Sequence, residues 1–332
     1  MIEEKVVIGK GGEYPLNGIL TLPDEAEGPV AAVVMVHGSG PSDMDEKIGG
    51  CTPFKDLAAG LAERGIASVR YDKRSFAHGR KMLRSGIITV KEETIDDAVL
   101  AAELLRCDPR IDGSKVFVLG HSMGAMLAPR IDAEGGDFCG IIMMAGTLRR
   151  LEEVMISQNQ AVLESTKGLV RMIVKKQVSK LEKLFAGLDE MTDEETMSKK
   201  VGGGATLYYF KEMAKKPAAD YLRNSQKPML IMQGERDFQV SLEKDFSLYK
   251  ELLGDRAGAE FRVYENLNHA FVQAVSDDIM KAKQEYAAER HIGPQVMDDI
   301  ISEQYSSADC GILICPSASV PKVSTYSSVI FT

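Results

Sequence analysis

From Lys115 to Arg130 the chain reads KVFVLGHSMGAMLAPR: an apolar run that stops at Gly120, a serine between two glycines, and a segment of helical character. A strand that breaks into a sharp turn and opens at once into a helix is a restrictive unit. It sets the serine at the apex of the turn under backbone strain, and its glycines let neighbouring segments come close. It also demands a sheet for the strand to join and the helix to pack on. Gly120-His121-Ser122-Met123-Gly124 alone would be a weak signal, and the strand before it and the helix after it give it weight. Pro129 falls inside that helix and is expected to kink it.

The rest of the chain supplies the sheet. KVVIG and LNGILTLP read as an antiparallel opening pair joined by the Gly-rich KGGEYP. PVAAVVMVHG is a continuous apolar run, as a strand buried on both faces requires. PFKDLAAGLAERG has apolar residues at helical spacing and stops at Gly65. IASVRY, the helical TIDDAVLAAELLRC and KVFVLG continue the alternation, and CGIIMMAG, PMLIMQG and AEFRVYENL add three further strands before a last helix in GPQVMDDIISEQ. Repeated strand–helix–strand units predict an α/β fold, a mostly parallel sheet with helices on both faces.

Between CGIIMMAG and PMLIMQG lie about 80 residues without a convincing strand, longer than an ordinary connection. In LVRMIVKKQVSKLEKLF, Val170, Val174, Val178, Leu181 and Phe185 fall on one helical face. The expected organisation is therefore a core built from residues 1–147 and 228–305, with residues 148–227 inserted as a helical lid over the C-terminal edge of the sheet. Residues 306–332 are Ser-rich and nearly uncharged, a tail of unassigned role.

At 332 residues the chain approaches the limit of one hydrophobic core, which agrees with a single large domain carrying an insertion. A net charge of −9 argues against a general nucleic-acid binder. Five cysteines form no paired framework, and Cys310 and Cys315 have no histidine pattern beside them, so no metal site is expected. The acidic N-terminus carries no secretory pattern, and no apolar run is long enough to span a bilayer. The expected setting is cytoplasmic, away from membrane, with a homodimer compatible with the chain but not written in it.

A serine hydroxyl is a poor nucleophile until a base takes its proton. Where a serine occupies this turn, acid and histidine follow it in that order along the chain. His37 and His78 precede Ser122 and His121 adjoins it, which leaves His269 and His291. His269 follows the last strand directly, whereas His291 lies in a charged helical region. The acid belongs just past PMLIMQG, where Asp237 can turn back to the sheet edge and Glu235 is still leaving the strand. Backbone N–H donors for an oxyanion are expected from Met123 and from Ser39 in VHGSGPSD, with His37 fixing that loop.

With these residues in place, the chain resembles the serine hydrolases of the α/β-hydrolase superfamily. Within it, the chain is similar to bacterial carboxylesterases of the dienelactone hydrolase and bile-acid acyltransferase/acyl-CoA thioesterase group. The resemblance rests on VMVHGSGPSDMDEKIGG, PFKDLAAGLAERGIASVRYDKR, VFVLGHSMGAMLAPR, MMAGTLRRLEE, PMLIMQGERDFQV and YENLNHAF. It implies a serine esterase acting on small carboxylic esters without cofactor or metal. Ser122, Asp237 and His269 would be its triad, with the Ser39 and Met123 N–H groups as oxyanion hole. It further implies that YDKRSFAHG is a loop beside the site in which Asp72 and Arg74 form an ion pair. Leu207, Tyr208, Tyr209 and Phe210 would belong to a lid segment that walls the acyl pocket. A thioesterase, acyltransferase or peptidase would use the same triad, and a ligand-binding relative without turnover is the reading from another class.

Overall fold

Two opening strands, β1 (Ile2–Ile8) and β2 (Leu16–Leu22), pair antiparallel with Ile2 opposite Leu22 and Ile8 opposite Leu16. The computed structural model describes residues 1–301 apart from 87, 203 and 277, so the expected tail lies outside the described residues. After the opening pair come β3 (Val30–Val36), β4 (Ala67–Tyr71), β5 (Ile111–His121) and β6 (Ile141–Met144). A short hairpin, β7 (Lys200–Gly202) and β8 (Ala205–Thr206), precedes β9 (Met229–Gly234) and β10 (Ala259–Tyr264). Apart from the hairpin these strands form one eight-stranded sheet in the order β1-β2-β4-β3-β5-β6-β9-β10. β2 pairs antiparallel with β4, and every pairing from β4 to β10 is parallel.

The helices in chain order are α1 (Pro53–Ala62), α2 (Arg74–Ser85), α3 (Asp96–Arg106) and α4 (Met123–Ile131). The inserted stretch contributes α5 (Leu151–Ser165), α6 (Gly168–Phe185), α7 (Asp193–Ser198), α8 (Leu207–Ala214) and α9 (Ala218–Asn224). α10 (Ser247–Leu253), α11 (Ala282–Glu285) and α12 (Pro294–Ile301) follow. α1 starts with Pro53 in its first turn, where a missing N–H costs nothing, and the chain leaves it through Gly65 at φ +81°.

Alternate residues of the central strands go to opposite faces, which divides the core in two. Val34, Val36, Val118, Met143 and Ile231 pack with α3 and α4 through Ala98, Ala101, Leu105, Ala125 and Leu127. Val33, Met35, Leu119, Ile142 and Leu230 pack on the other face with Phe54 and Leu57 of α1 and Val296 and Ile300 of α12. A mostly parallel sheet covered on both faces, as expected, is what the strands and helices form.

Three local expectations differ from what the chain adopts. The insertion is not free of strands: β7 and β8 pair antiparallel, too short at three and two residues to show any period. YDKRSFAHG is not a loop, because α2 begins at Arg74. On α6, Val178 and Phe185 are buried as the spacing predicts, but the first turn carries its apolar residues into solvent, with Leu169 79% and Val170 54% exposed.

Candidate active site

Ser122 occupies the turn between β5 and α4 at φ 53° and ψ −114°, a left-handed conformation that strains any residue with a Cβ. Its N–H donates to the Met144 carbonyl on β6 at 2.8 Å, and its carbonyl receives the Ala125 N–H at 3.0 Å. Both flanking glycines are required by close approach. A Cβ on Gly120 would stand 2.2 Å from the Gly124 carbonyl oxygen, and one on Gly124 would stand 2.1 Å from that of Val36. Helix and sheet are thus pressed together at the serine.

Asp237 and His269 sit on the loops after the adjacent strands β9 and β10, at the same edge. His269 Nδ1 donates to Asp237 Oδ2 at 2.7 Å, and the Asp237 side chain is fully buried. The same oxygen accepts Gln233 Nε2 at 2.9 Å, while Oδ1 accepts the N–H groups of Gln239 and Val240 at 2.7 and 3.0 Å. A carboxylate with four donors is fixed in place, and it orients the imidazole with the proton on Nδ1. Glu235, the other carboxylate past this strand, is exposed. His291 is a surface residue whose side chain is 68% exposed, beside Asp56. Among the described residues no hydrogen bond joins Ser122 Oγ to the His269 ring.

The loop of His269 is anchored from outside the sheet. Asn268 Nδ2 donates to Glu285 Oε1 at 2.7 Å, and Asn268 Oδ1 accepts the Ala270 N–H at 3.0 Å. Glu285, wholly buried, also receives the Ser276 N–H at 2.8 Å. These contacts brace the short turn that carries the histidine.

On the opposite side of Ser122 runs the loop after β3. A Cβ on Gly38 would lie 3.2 Å from Ser122 Cβ, so this loop touches the serine. The Gly38 N–H donates to Glu46 Oε1 at 2.7 Å, and the Gly38 carbonyl accepts from Lys73 Nζ at 2.8 Å. His121 Nε2–H donates to the His269 carbonyl at 2.8 Å, while its Nδ1 stands 3.1 Å from Glu46 Oε2, off the line of a hydrogen bond. Burial opposes the charge on His121, but the Glu46 carboxylate outweighs it and raises the imidazole above its usual value. Burial likewise opposes the charge on Glu46, and the His121 ring overcomes it, holding the carboxyl below its usual range. His37 is buried and donates from Nε2 to the Asp43 carbonyl at 3.0 Å; burial pushes its ring down to about 4, which keeps it neutral.

Ser39 and Met123 face a cavity of about 1020 Å³ that opens at Ser122. Leu151, Val154 and Met155 of α5 line it, together with Met82 of α2, Met126 of α4 and Val240. Of the four aromatic-segment residues, Tyr209 and Phe210 line this cavity; Leu207 is packed in the core and Tyr208 does not reach the cavity wall. The expected Asp72–Arg74 ion pair does not form. Arg74 instead makes a buried two-pronged pair with Asp97 of α3 at 2.5 and 3.0 Å, and Asp72 accepts the Met44 N–H at 3.0 Å. The α2 start turns Arg74 away from its neighbour, so sequence adjacency misleads. Glu46, Lys73 and His121 had no sequence signal beyond being charged or titratable residues near a motif.

A protein-family model described as serine aminopeptidase, S33 (Hydrolase_4), matches residues 27–273. Esterase EstD of Thermotoga maritima is 36% identical over 298 residues, which cover 90% of this chain. The chain spans 66% of that relative's length, just under two thirds. Among solved structures, Est1E from Butyrivibrio proteoclasticus has a TM-score of 0.53 at 14% identity, covering 85% of this chain and 96% of its own. An esterase of Pyrococcus furiosus has a TM-score of 0.51 at 15% identity, covering 81% of this chain and 83% of its own. At such identities the likeness speaks for the fold.

Proposed function

Because the chain belongs to the serine aminopeptidase S33 (Hydrolase_4) family and has the α/β-hydrolase fold, we propose that it is a serine carboxylesterase whose triad is Ser122, His269 and Asp237. The observation that carries this reading is the buried 2.7 Å pair of His269 and Asp237 at the sheet edge that also holds the strained Ser122. Ser122 Oγ attacks the ester carbonyl carbon as its proton passes to His269 Nε2. Asp237 holds the imidazole tautomer and balances the imidazolium. The oxygen that gains charge is met by the N–H groups of Ser39 and Met123. His269 then gives its proton to the departing alcohol, and water repeats the sequence on the acyl-enzyme, returning the acid and free Ser122.

Residues 148–227 act as the lid in this reading, since Leu151, Val154, Tyr209 and Phe210 wall the cavity above the serine. The largely apolar wall suits a small ester with an apolar acyl group, and the chemistry needs neither metal nor cofactor. Among the described residues no helix is long and apolar enough to cross a membrane. A cytoplasmic setting is the localisation to test. A homodimer remains the assembly to test.

An organophosphonate should form one adduct on Ser122, and Ser122→Ala should abolish both the adduct and hydrolysis of p-nitrophenyl esters. Esters, thioesters and aminoacyl amides of matched acyl group, run in parallel, separate the esterase from a thioesterase or aminopeptidase. Hydrolysis of esters by Ser122→Ala at a near-normal rate would overturn the assignment, and faster turnover of aminoacyl amides than of esters would move it to a peptidase.

A further inference from the structure

Lys73 is 2% exposed, and its ammonium sits at the back of the loop that touches Ser122. It lies between the end of β4 and the start of α2, and its own N–H is held by the Ser42 carbonyl at 3.0 Å. Nζ donates to the Gly38 carbonyl at 2.8 Å and stands 3.6 Å from Glu93 Oε1. The other Glu93 oxygen accepts the Tyr209 hydroxyl at 2.7 Å, and that hydroxyl lies 3.5 Å from Met123 Sδ. A buried chain of polar contacts therefore runs from the Gly38 peptide through Lys73 and Glu93 to α8 of the inserted segment.

The Gly38 carbonyl and the Ser39 N–H belong to one peptide group. No peptide bond among the described residues is cis, so the two point in opposite directions across a rigid plane. A donor fixed on the carbonyl side therefore fixes where the N–H points. The preceding N–H, that of Gly38, is held by Glu46 at 2.7 Å, so the loop is clamped on both sides of Gly38. The Ser39 N–H makes no hydrogen bond among the described residues, and Ser39 lines the cavity beside Ser122. A cation on the carbonyl oxygen also draws electron density from the amide, which makes its N–H a stronger donor.

We propose that Lys73 is a positioning residue for the reaction: through the Gly38 carbonyl it orients and polarises the Ser39 N–H as an oxyanion donor, and Glu93 and Tyr209 tie that setting to the inserted helical segment. This rests on the esterase reading above, since it assigns the donor a use. The effect belongs to the stage when the carbonyl oxygen gains charge, so it falls on kcat rather than on KM. Losing one oxyanion donor costs about 10²- to 10³-fold in kcat. Tyr209→Phe removes only the hydroxyl on Glu93 and acts through two intermediaries, so a smaller loss is expected.

The test compares wild type, Lys73→Met, Lys73→Arg and Tyr209→Phe on one p-nitrophenyl ester, with a trifluoromethyl ketone as a mimic of the tetrahedral state. In Lys73→Met, kcat should fall about 10²-fold with KM within about threefold, and the ketone should weaken in parallel with kcat. Lys73→Arg should recover part of both losses, and Tyr209→Phe should lose less than about tenfold. If the methionine variant does not fold, Lys73→Gln, a donor without charge, takes its place with an expected loss of about tenfold. A folded Lys73 variant with unchanged kcat, or one whose loss lies in KM while the ketone binds normally, overturns the proposal. Phosphonate labelling of wild type at Ser122, run first, keeps failure of this idea apart from failure of the triad: an unlabelled serine sinks the triad, and a labelled one leaves Lys73 alone under test.

Discussion

Glu46 and His121 face each other at 3.1 Å in the buried space behind Ser122, one tied to the Gly38 loop and the other to the His269 carbonyl. Their mutual attraction lowers Glu46 from 4.5 and raises His121 from 6.5. A raised histidine stabilises the fold fully below 6.5, and the contribution is lost as pH rises through its folded value. A depressed carboxyl stabilises above 4.5, and that contribution is lost as pH falls through its folded value. The pair therefore acts at full strength between 4.5 and 6.5. Glu46→Gln should lower Tm most in that window and less at alkaline pH, as a series of thermal melts would register. A Tm difference that stays constant across the series would rule out the charge pairing.

In the proposed triad Ser122 combines function with strain. Ser122→Gly should lose hydrolysis by several orders of magnitude, on the order of 10⁴ or more. It should also gain stability of about 1 kcal/mol, because glycine adopts φ 53° without a Cβ penalty. Kinetics and denaturant titration on the same preparation check both halves. A variant that is inactive and also less stable would show that the turn is not strained.

Asp237→Asn keeps the size of the side chain but turns an acceptor into a donor on one side. If the amide oxygen keeps the Gln239 and Val240 N–H groups, its NH₂ meets His269 Nδ1 and forces the proton to Nε2. That is the wrong tautomer for accepting the serine proton, and kcat should fall about 10⁴-fold with little change in KM. Steady-state kinetics at pH 7 and pH 9 test this, and activity within tenfold of wild type would remove Asp237 from the triad.

Gly124→Ala should leave little folded protein. The added methyl would lie 2.1 Å from the Val36 carbonyl oxygen, a backbone atom of β3 that cannot swing aside. Gly79→Ala is the control, since a Cβ there meets nothing within 4 Å. Soluble yield and Tm distinguish them, with a fall expected for the first and a small change for the second.

The strands and the order of the site residues were legible because each rests on a pattern. Buried parallel strands read as continuous apolar runs, and the serine turn, Asp237 and His269 follow a fixed chain order at the ends of strands β5, β9 and β10. The supporting polar residues had no such pattern. Tyr209 and Glu93 are 116 residues apart, and His121 and the His269 carbonyl 148, so only the folded chain pairs them. Asp72 and Arg74 failed in the opposite way: they are close in sequence, and the first turn of α2 sends Arg74 to Asp97. The hairpin β7–β8 was missed because five residues are too few to carry a period.

The inserted segment leaves the sheet after β6 and returns on β9, and those two strands are immediate neighbours. An ordinary short crossover could join them without altering any strand's pairing partners. On the esterase reading proposed above, acyl-group preference should be exchangeable as a cassette, with the join at the two strand ends. Among the pins that such a graft must rebuild are the Arg130–Glu212 pair from α4 to α8 and the Tyr209–Glu93 hydrogen bond.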